Sequence, residues 1–251
     1  MGTGDALMAS GEARQAYAKD GFPVLIVGRG NTPQWSDVFT GVPYLLRRPI
    51  ASRYTTIVNG SGLRPYIAAH NDKLWTWKPY RPSPAEVVFT QQERSFARRY
   101  RGAVMVEPHG KEIGHKNKDW GFNKWSEIDR YLHEMGIRTI QCGPQGVRPL
   151  PFAERVVTPS FRHALAVLSY TKAFVGGEGG LTHGAAAVNV PAVIVFGGFI
   201  SPRVTGYDTN VNIFTGTDLG CGSRVDCSHC RECMDKIPVE QVVNSLRGFI
   251  Q

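Results

Sequence analysis

This 251-residue chain has no run of apolar residues approaching the ~20 needed to cross a bilayer. Its first residues lack the basic-then-apolar pattern of a secretory signal, so export is not expected and a cytoplasmic location is. It has no internal repeat and no low-complexity segment, which argues against a repeat array. Acidic residues are in deficit: 21 against 29 Lys and Arg, a net charge of +8. That balance favours anionic partners such as nucleotides, phosphorylated lipid surfaces or nucleic acid, without choosing among them. Cysteine is scarce, with five residues, and four of these crowd between 221 and 233. A disulfide scaffold is not expected from such usage in a cytosolic chain.

What remains is ordinary globular material, at 42% hydrophobic and 10% aromatic, enough for one large domain or two small ones. The opening residues read as a loop followed by a helix over 6–19 capped by Asp5, yet no strand precedes it. Either the native start lies upstream of Met1 or the fold lacks its usual first strand. A short buried strand is predicted over 23–28, with weak strands over 55–58 and 74–77. Three prolines in 78–84 mark a stiff linker, dividing a small irregular α/β region (1–80) from a larger one (81–251). Beyond a helix over 85–101, strands at 103–107, 138–142, 155–158, 173–176 and 192–197 alternate with helices at 124–135, 161–170 and 181–188. An amphipathic helix over 238–249 closes the chain. Such alternation predicts a parallel sheet covered on both faces.

The segment 173–196 is the most informative. It reads as strand, glycine-rich turn, small-residue helix and second buried strand. Gly176, Gly177, Gly179 and Gly180 let the backbone bend and lie close to a ligand. The helix start offers N–H groups and a positive dipole end to an anion such as a diphosphate, through Gly179, Gly180, Leu181 and Thr182. Glu178 cannot bind phosphate and suits sugar or ribose hydroxyls instead. His183 either contacts phosphate or packs beneath the turn. Gly143 and Pro144 follow a strand end and border the nucleoside, and His109, at another strand end, faces the same crevice. Cys221, Cys227, Cys230 and Cys233 are spaced C-x5-C-x2-C-x2-C, which suits a tetrahedral thiolate site for zinc, or iron as the second choice, with His229 able to replace one ligand. Four sulfur ligands leave no open position, so the role expected is structural, in a metal loop over 221–233. Cys142, alone in a strand, reads as a small buried hydrophobe.

Four motifs resemble those of glycosyltransferase family 9, the lipopolysaccharide heptosyltransferase family. They are Gly4-Asp5 in the opening turn, Lys118-Asp119-Trp120 with Trp125, Gly177-Glu178-Gly179-Gly180-Leu181-Thr182-His183-Gly184-Ala185-Ala186-Ala187, and the helix entered at Ile237-Pro238. The match is good over 85–251, partial over 1–30 and poor over 31–80. Glu178 stands where the family usually has Asp, and Gly184 where it has a larger residue. The resemblance implies a GT-B-like α/β fold, two Rossmann-like domains with parallel sheets facing a cleft, here with a reduced N-terminal domain. It implies Asp5 as general base and Lys118 as the cation facing the leaving diphosphate, with Gly4 beside the donor and Lys111, Lys116 and Lys124 as possible helpers. No catalytic metal is then expected.

The activity implied is inverting transfer of a sugar from a nucleotide diphosphate sugar to a hydroxyl of a cell-envelope saccharide. The charge suits a phosphorylated saccharide or lipid acceptor, peripheral to a membrane. Within the same chemistry, hydroxymethylated bases of phage DNA are an alternative acceptor. From another class, a non-catalytic, metal-stapled nucleic-acid-binding protein fits the cysteines and the charge, but it has no need of three motifs converging on one cleft.

Overall fold

Strands buried on both faces read as short, near-continuous apolar runs, and strands of this kind build the middle of the main sheet. The computed structural model describes residues 1–50, 52–60, 63–108 and 116–250. The chain begins with α1 (Thr3–Asp20), then β1 (Val24–Val27), β2 (Leu45–Leu46), β3 (Thr55–Val58), β4 (Ile67–His70) and β5 (Trp75–Trp77). It continues through α2 (Gln91–Ala97), β6 (Val104–Glu107), α3 (Phe122–Glu134), β7 (Thr139–Gly143), β8 (Glu154–Val157), α4 (Phe161–Leu168), β9 (Ala173–Gly177) and α5 (Gly180–Ala187). Last come β10 (Ala192–Gly197), the single turn α6 (Pro202–Thr205), β11 (Val211–Phe214), α7 (Ser228–Asp235) and α8 (Val239–Ile250).

Six strands form one parallel sheet in the order β11-β10-β9-β6-β7-β8. The chain starts it at β6, runs outward to β8, then returns to the other side of β6 with β9. Strand order therefore reverses between β6 and β9, and a ligand crevice is expected beyond their carboxyl ends. Side chains alternate between the sheet's two faces. Met105, Phe174, Ile194 and Phe196 pack with α1, α4 and α5, whereas Val104, Val106, Val175 and Val195 pack with Trp125, Ile128 and Leu132 of α3 and with Val242 and Leu246 of α8. Burying each such side chain fully contributes about 1.5–3 kcal/mol.

The N-terminal residues form a three-stranded parallel sheet, β2-β1-β3, and an antiparallel hairpin, β4-β5. Helix α1 packs on both β1 and β3 and, on another side, on α5 of the large sheet. Two glycines permit that seat. A Cβ on Gly4 would lie 2.9 Å from the His183 ring and 3.4 Å from Gly180 Cα, so α1 can bring its first turn against that of α5. A Cβ on Gly11 would overlap the carbonyl oxygen of Ser83 at 1.8 Å. Because that obstacle is backbone, Gly11→Ala is expected to destabilise the fold by about 1–3 kcal/mol, measurable as a lower urea midpoint. An unchanged midpoint would show that the 83–84 segment yields freely.

Two local expectations are corrected. The helix predicted over 85–101 begins only at Gln91: Thr90 accepts the Glu93 N–H, and the Glu93 carboxylate accepts the Thr90 N–H, a reciprocal box that fixes the start there. Asp5 does not cap α1. The helix starts at Thr3 with Gly2 as its N-cap, and Asp5 lies inside the first turn with its carboxylate turned to other partners.

Candidate active site

The turn after β9 is built by short contacts. A Cβ on Gly176 would lie 2.6 Å from the Phe174 ring, and one on Gly180 would lie 3.2 Å from the Phe161 ring. None of the four glycines takes a left-handed φ, so at Gly176 and Gly180 closeness of approach, rather than bending, is what favours glycine. A Cβ on Gly177 or Gly179 would meet, among the described residues, only a backbone oxygen, at 4.0 and 3.9 Å, which leaves room above the turn. The Thr182 hydroxyl accepts the Gly179 N–H and donates to the Gly177 carbonyl, both at 3.2 Å, locking the start of α5. The rest of that first turn presents backbone N–H groups and the positive end of the helix dipole.

Lys118 and Glu178 form a buried ion pair. Oε1 of Glu178 also accepts from the Thr205 hydroxyl at 3.2 Å. Burial would raise the Glu178 pKa, but Lys118 above all, with His183 and Thr205, outweighs it and holds the carboxyl below the usual range. Both oxygens are thus committed to protein partners, which differs from the open sugar-hydroxyl acceptor expected of this residue. The Lys118 ammonium also lies 4.9 Å from the centre of the Phe199 ring. His183 is buried beneath the turn, with Nδ1 3.0 Å from the Tyr207 hydroxyl. Burial lowers its pKa more than Glu178 and Asp5 raise it, so the ring is neutral near pH 7.

Asp5 follows Gly4 in the first turn of α1, where that turn packs on α5. Its Oδ1 accepts from the Tyr66 hydroxyl at 2.5 Å and its Oδ2 pairs with Arg64 Nη2 at 2.9 Å. Burial first, then the charge of Asp5, pushes the Tyr66 phenol well up, so it stays protonated and donates. Asp5 and Glu178 both bear electrostatically on His183, and Glu178 on Tyr66, so these groups share one field.

The other expected residues are spread along the same sheet edge. Lys116 is exposed and opens a short 3-10 turn, Lys116–Lys118. Gly143 ends β7, and the Pro144 carbonyl accepts from Arg155 at 2.5 Å. His109 and Lys111 lie outside the described residues. Lys124 is no phosphate helper here: its ammonium donates to the carbonyls of Met234 (3.0 Å), Asp235 (3.3 Å) and Ile237 (3.0 Å), closing the end of α7.

Of the four clustered cysteines, the sulfurs of Cys221, Cys227 and Cys230 all lie within 4.8 Å of one another. The Cys221 and Cys230 sulfurs are 3.0 Å apart, and that hydrogen bond is the main reason the Cys221 thiol is held down to about 6. Three sulfurs so placed fit one thiophilic ion, whose bonds of about 2.3 Å would set them about 3.8 Å apart. Cys233 stands apart from this trio. Its Sγ lies 3.6 Å from both the Thr215 carbonyl oxygen and Nε2 of His229, so the four-sulfur site expected from the spacing is corrected to three sulfurs, with Cys233 and His229 outside it.

A model of glycosyltransferase family 9 (heptosyltransferase) matches residues 78–234, well over half of the chain. The chain belongs to glycosyltransferase family 9. Among solved structures, the ADP-heptose lipopolysaccharide heptosyltransferase II of E. coli superposes with a TM-score of 0.51 at 18% identity, over 66% of this chain and 53% of its own. A family 9 glycosyl transferase from Veillonella parvula gives 0.51 at 14% identity, over 67% and 54%. The iron-containing dodecameric glycosyltransferase TibC of enterotoxigenic E. coli gives 0.63 at 17%, over 100% of this chain and 75% of its own. This chain thus spans about half the length of the first two. At such identities the likeness speaks for the fold, an α/β arrangement of the GT-B type with parallel sheets. A search of curated protein sequences finds no match.

Within this family 9 chain, sequence reasoning missed Arg64, Tyr66, Thr205 and Tyr207, which hold Asp5, Glu178 and His183 in place. Arg64 and Tyr66 sit in the region that matches the family poorly, and no spacing ties them to Asp5. A signal did exist for Trp120. As the aromatic of the Lys-x-Trp motif it is buried, donates to the Ile237 carbonyl at 3.0 Å and packs edge-on against Trp125, fixing the segment that carries Lys118.

Proposed function

We propose that this chain transfers a sugar, with inversion, from a nucleotide diphosphate sugar to a hydroxyl of a cell-envelope saccharide, and that the donor is an ADP-heptose-type nucleotide sugar. The observation that carries this reading is the packing of the first turn of α1, which bears Asp5, against the first turn of α5, whose preceding turn bears Glu178 paired with Lys118, beyond the ends of β6 and β9. The likeness in fold to the E. coli ADP-heptose heptosyltransferase supports this choice of donor class. Asp5 takes the proton of the acceptor hydroxyl as its oxygen attacks the anomeric carbon. The bond from that carbon to the diphosphate oxygen breaks, and the diphosphate leaves with the electron pair. Lys118 and the start of α5 meet its negative charge. Glu178 holds and aims Lys118 until the diphosphate competes for it. Cys221, Cys227 and Cys230 would hold zinc or iron and cross-link their loop, with the fourth position of a tetrahedral ion left to another ligand.

Calorimetric titration with ADP tests the donor site, and product analysis with ADP-heptose and a lipopolysaccharide core acceptor tests the transfer. ADP at about 100 times its Kd should stabilise the fold by about 2.7 kcal/mol. Lys118→Ala, which removes the cation and leaves Glu178 buried without it, should weaken ADP at least tenfold. Absence of stabilisation by ADP and by ADP-heptose alike would overturn the assignment.

A further inference from the structure

Asn117 is buried, and its amide is almost fully used. Nδ2 donates to the carbonyls of Ser223 (2.7 Å) and Val225 (2.8 Å), and Oδ1 accepts the Cys227 N–H at 3.1 Å. Only this orientation of the amide works: turned over, it would set its NH₂ against an N–H and its oxygen against two carbonyls. The next residue is Lys118. The cysteine loop also reaches Lys118 from the other side, because Cys221 N–H donates to the Gly198 carbonyl and Gly222 N–H to that of Phe199, both at 2.9 Å. Phe199 is the ring beneath the Lys118 ammonium. The loop that carries the thiols therefore holds both the peptide bearing Lys118 and the surface on which its charge rests.

We infer that Asn117 is a positioning residue that couples metal occupancy of the Cys221–Cys227–Cys230 trio to binding of an anionic diphosphate at Lys118. This rests on the proposed donor site. A metal ion that fixes Cys221 and Cys227 fixes the two ends of the loop 221–227. Through the Asn117 amide that order passes to the turn Lys116–Lys118, and through Gly198 and Phe199 to the end of β10. Coupling between two bound groups is reciprocal: if the metal tightens ADP, ADP tightens the metal by the same factor.

The test uses the full chain, stripped by a chelator under reducing, anaerobic conditions and reloaded with zinc or iron(II). ADP affinity is measured by calorimetry in each state. Stripping the wild-type chain is expected to weaken ADP by about tenfold, within the usual range of such couplings. Asn117→Asp keeps an acceptor for the Cys227 N–H but loses both donors. That variant, when loaded, should bind ADP about as the stripped wild type does, and should show little further loss on stripping. It should also release its metal to a chromophoric chelator at least about tenfold faster. Equal ADP affinity in loaded and stripped wild type overturns the coupling while leaving the donor site standing. A full wild-type difference retained by Asn117→Asp overturns the role of Asn117. A wild-type chain that keeps neither metal overturns the inference at its root, and one that binds ADP in neither state sinks the donor site and the coupling together.

Discussion

Asp5→Asn is expected to lower sugar transfer about 10³-fold, a change within the range that a lost general base produces, while ADP affinity moves by less than about threefold. Asparagine is nearly isosteric, and its carbonyl oxygen can still accept from Tyr66 at the position of Oδ1. What it cannot do is take up the acceptor's proton. Magnitudes separate this from a structural loss. Losing the carboxylate in the first turn of α1 costs about 0.3–1 kcal/mol through the helix dipole, and the broken Arg64 pair adds to that cost, whereas a 10³-fold loss in rate is about 4 kcal/mol of transition-state stabilisation, read on the folded protein. A melting curve within a few degrees of wild type alongside a collapse in kcat would therefore locate the effect in the transition state. Arg64→Lys and Tyr66→Phe sharpen the test, since each loosens one oxygen of Asp5 without removing the base, and should cost less in kcat than Asp5→Asn. Turnover above about a tenth of wild type in Asp5→Asn would remove Asp5 from the mechanism.

The large sheet was legible because its strands are short runs of apolar, mostly β-branched residues with no polar face, as at Val104–Glu107 and Ala192–Gly197. The small sheet was legible only in part. β2 has two residues, and β4, Ile-Ala-Ala-His, has little β-branched character; neither leaves a periodic signal. The edge strand β11 alternates with polar residues and was not foreseen. Helix α7 was hidden by its own chemistry. Its buried face is Cys230, Cys233 and Met234, so two of its three core residues read as metal ligands rather than as the apolar stripe of a helix.

The same helix explains the cysteine arrangement. Cys227 is the N-cap of α7, and Cys230 and Cys233 follow at three-residue steps. Each step turns about 300°, so by Cys233 the side chain has swung roughly 120° from the direction of Cys227. Spacing alone suggests four equivalent thiols, and helical phase is what separates the fourth from the trio. The Asp5 site shows the opposite limit. The motif around Glu178 was legible because its parts are local, closed by one strand, one turn and one helix. The clamp on Asp5 comes from Arg64 and Tyr66, joined to it only by the way α1 and the 60s segment pack, and no local pattern records that.

Glu93→Gln should destabilise the fold by about 3–5 kcal/mol, the usual consequence of leaving half of a buried ion pair behind. Glu93 of α2 and Arg162 of α4 meet in a two-pronged bridge, Nε to Oε1 at 2.7 Å and Nη2 to Oε2 at 2.8 Å, with both side chains 8% exposed. Arg162 does more than pair. Its guanidinium also donates to the carbonyls of Asp37 (3.2 Å), Thr40 (3.3 Å) and Val88 (2.6 Å), tying the 37–40 segment to the helix beneath the large sheet. For that reason, replacing both partners by apolar residues, often neutral elsewhere, should not restore stability here: the carbonyls of Asp37, Thr40 and Val88 would each lose the Arg162 donor. The pH dependence has a definite sign. Burial would raise the Glu93 pKa, but Arg162 and the N–H of Thr90 outweigh it and hold it below 4.5. The group releases its proton more readily when folded, so its contribution is complete above 4.5 and is lost as pH falls through the lower folded value. Urea unfolding of wild type and Glu93→Gln should therefore differ fully at pH 7 and converge in acid. A gap below about 1 kcal/mol at pH 7, or one that widens as pH falls, would show that the bridge does not join these two parts of the chain.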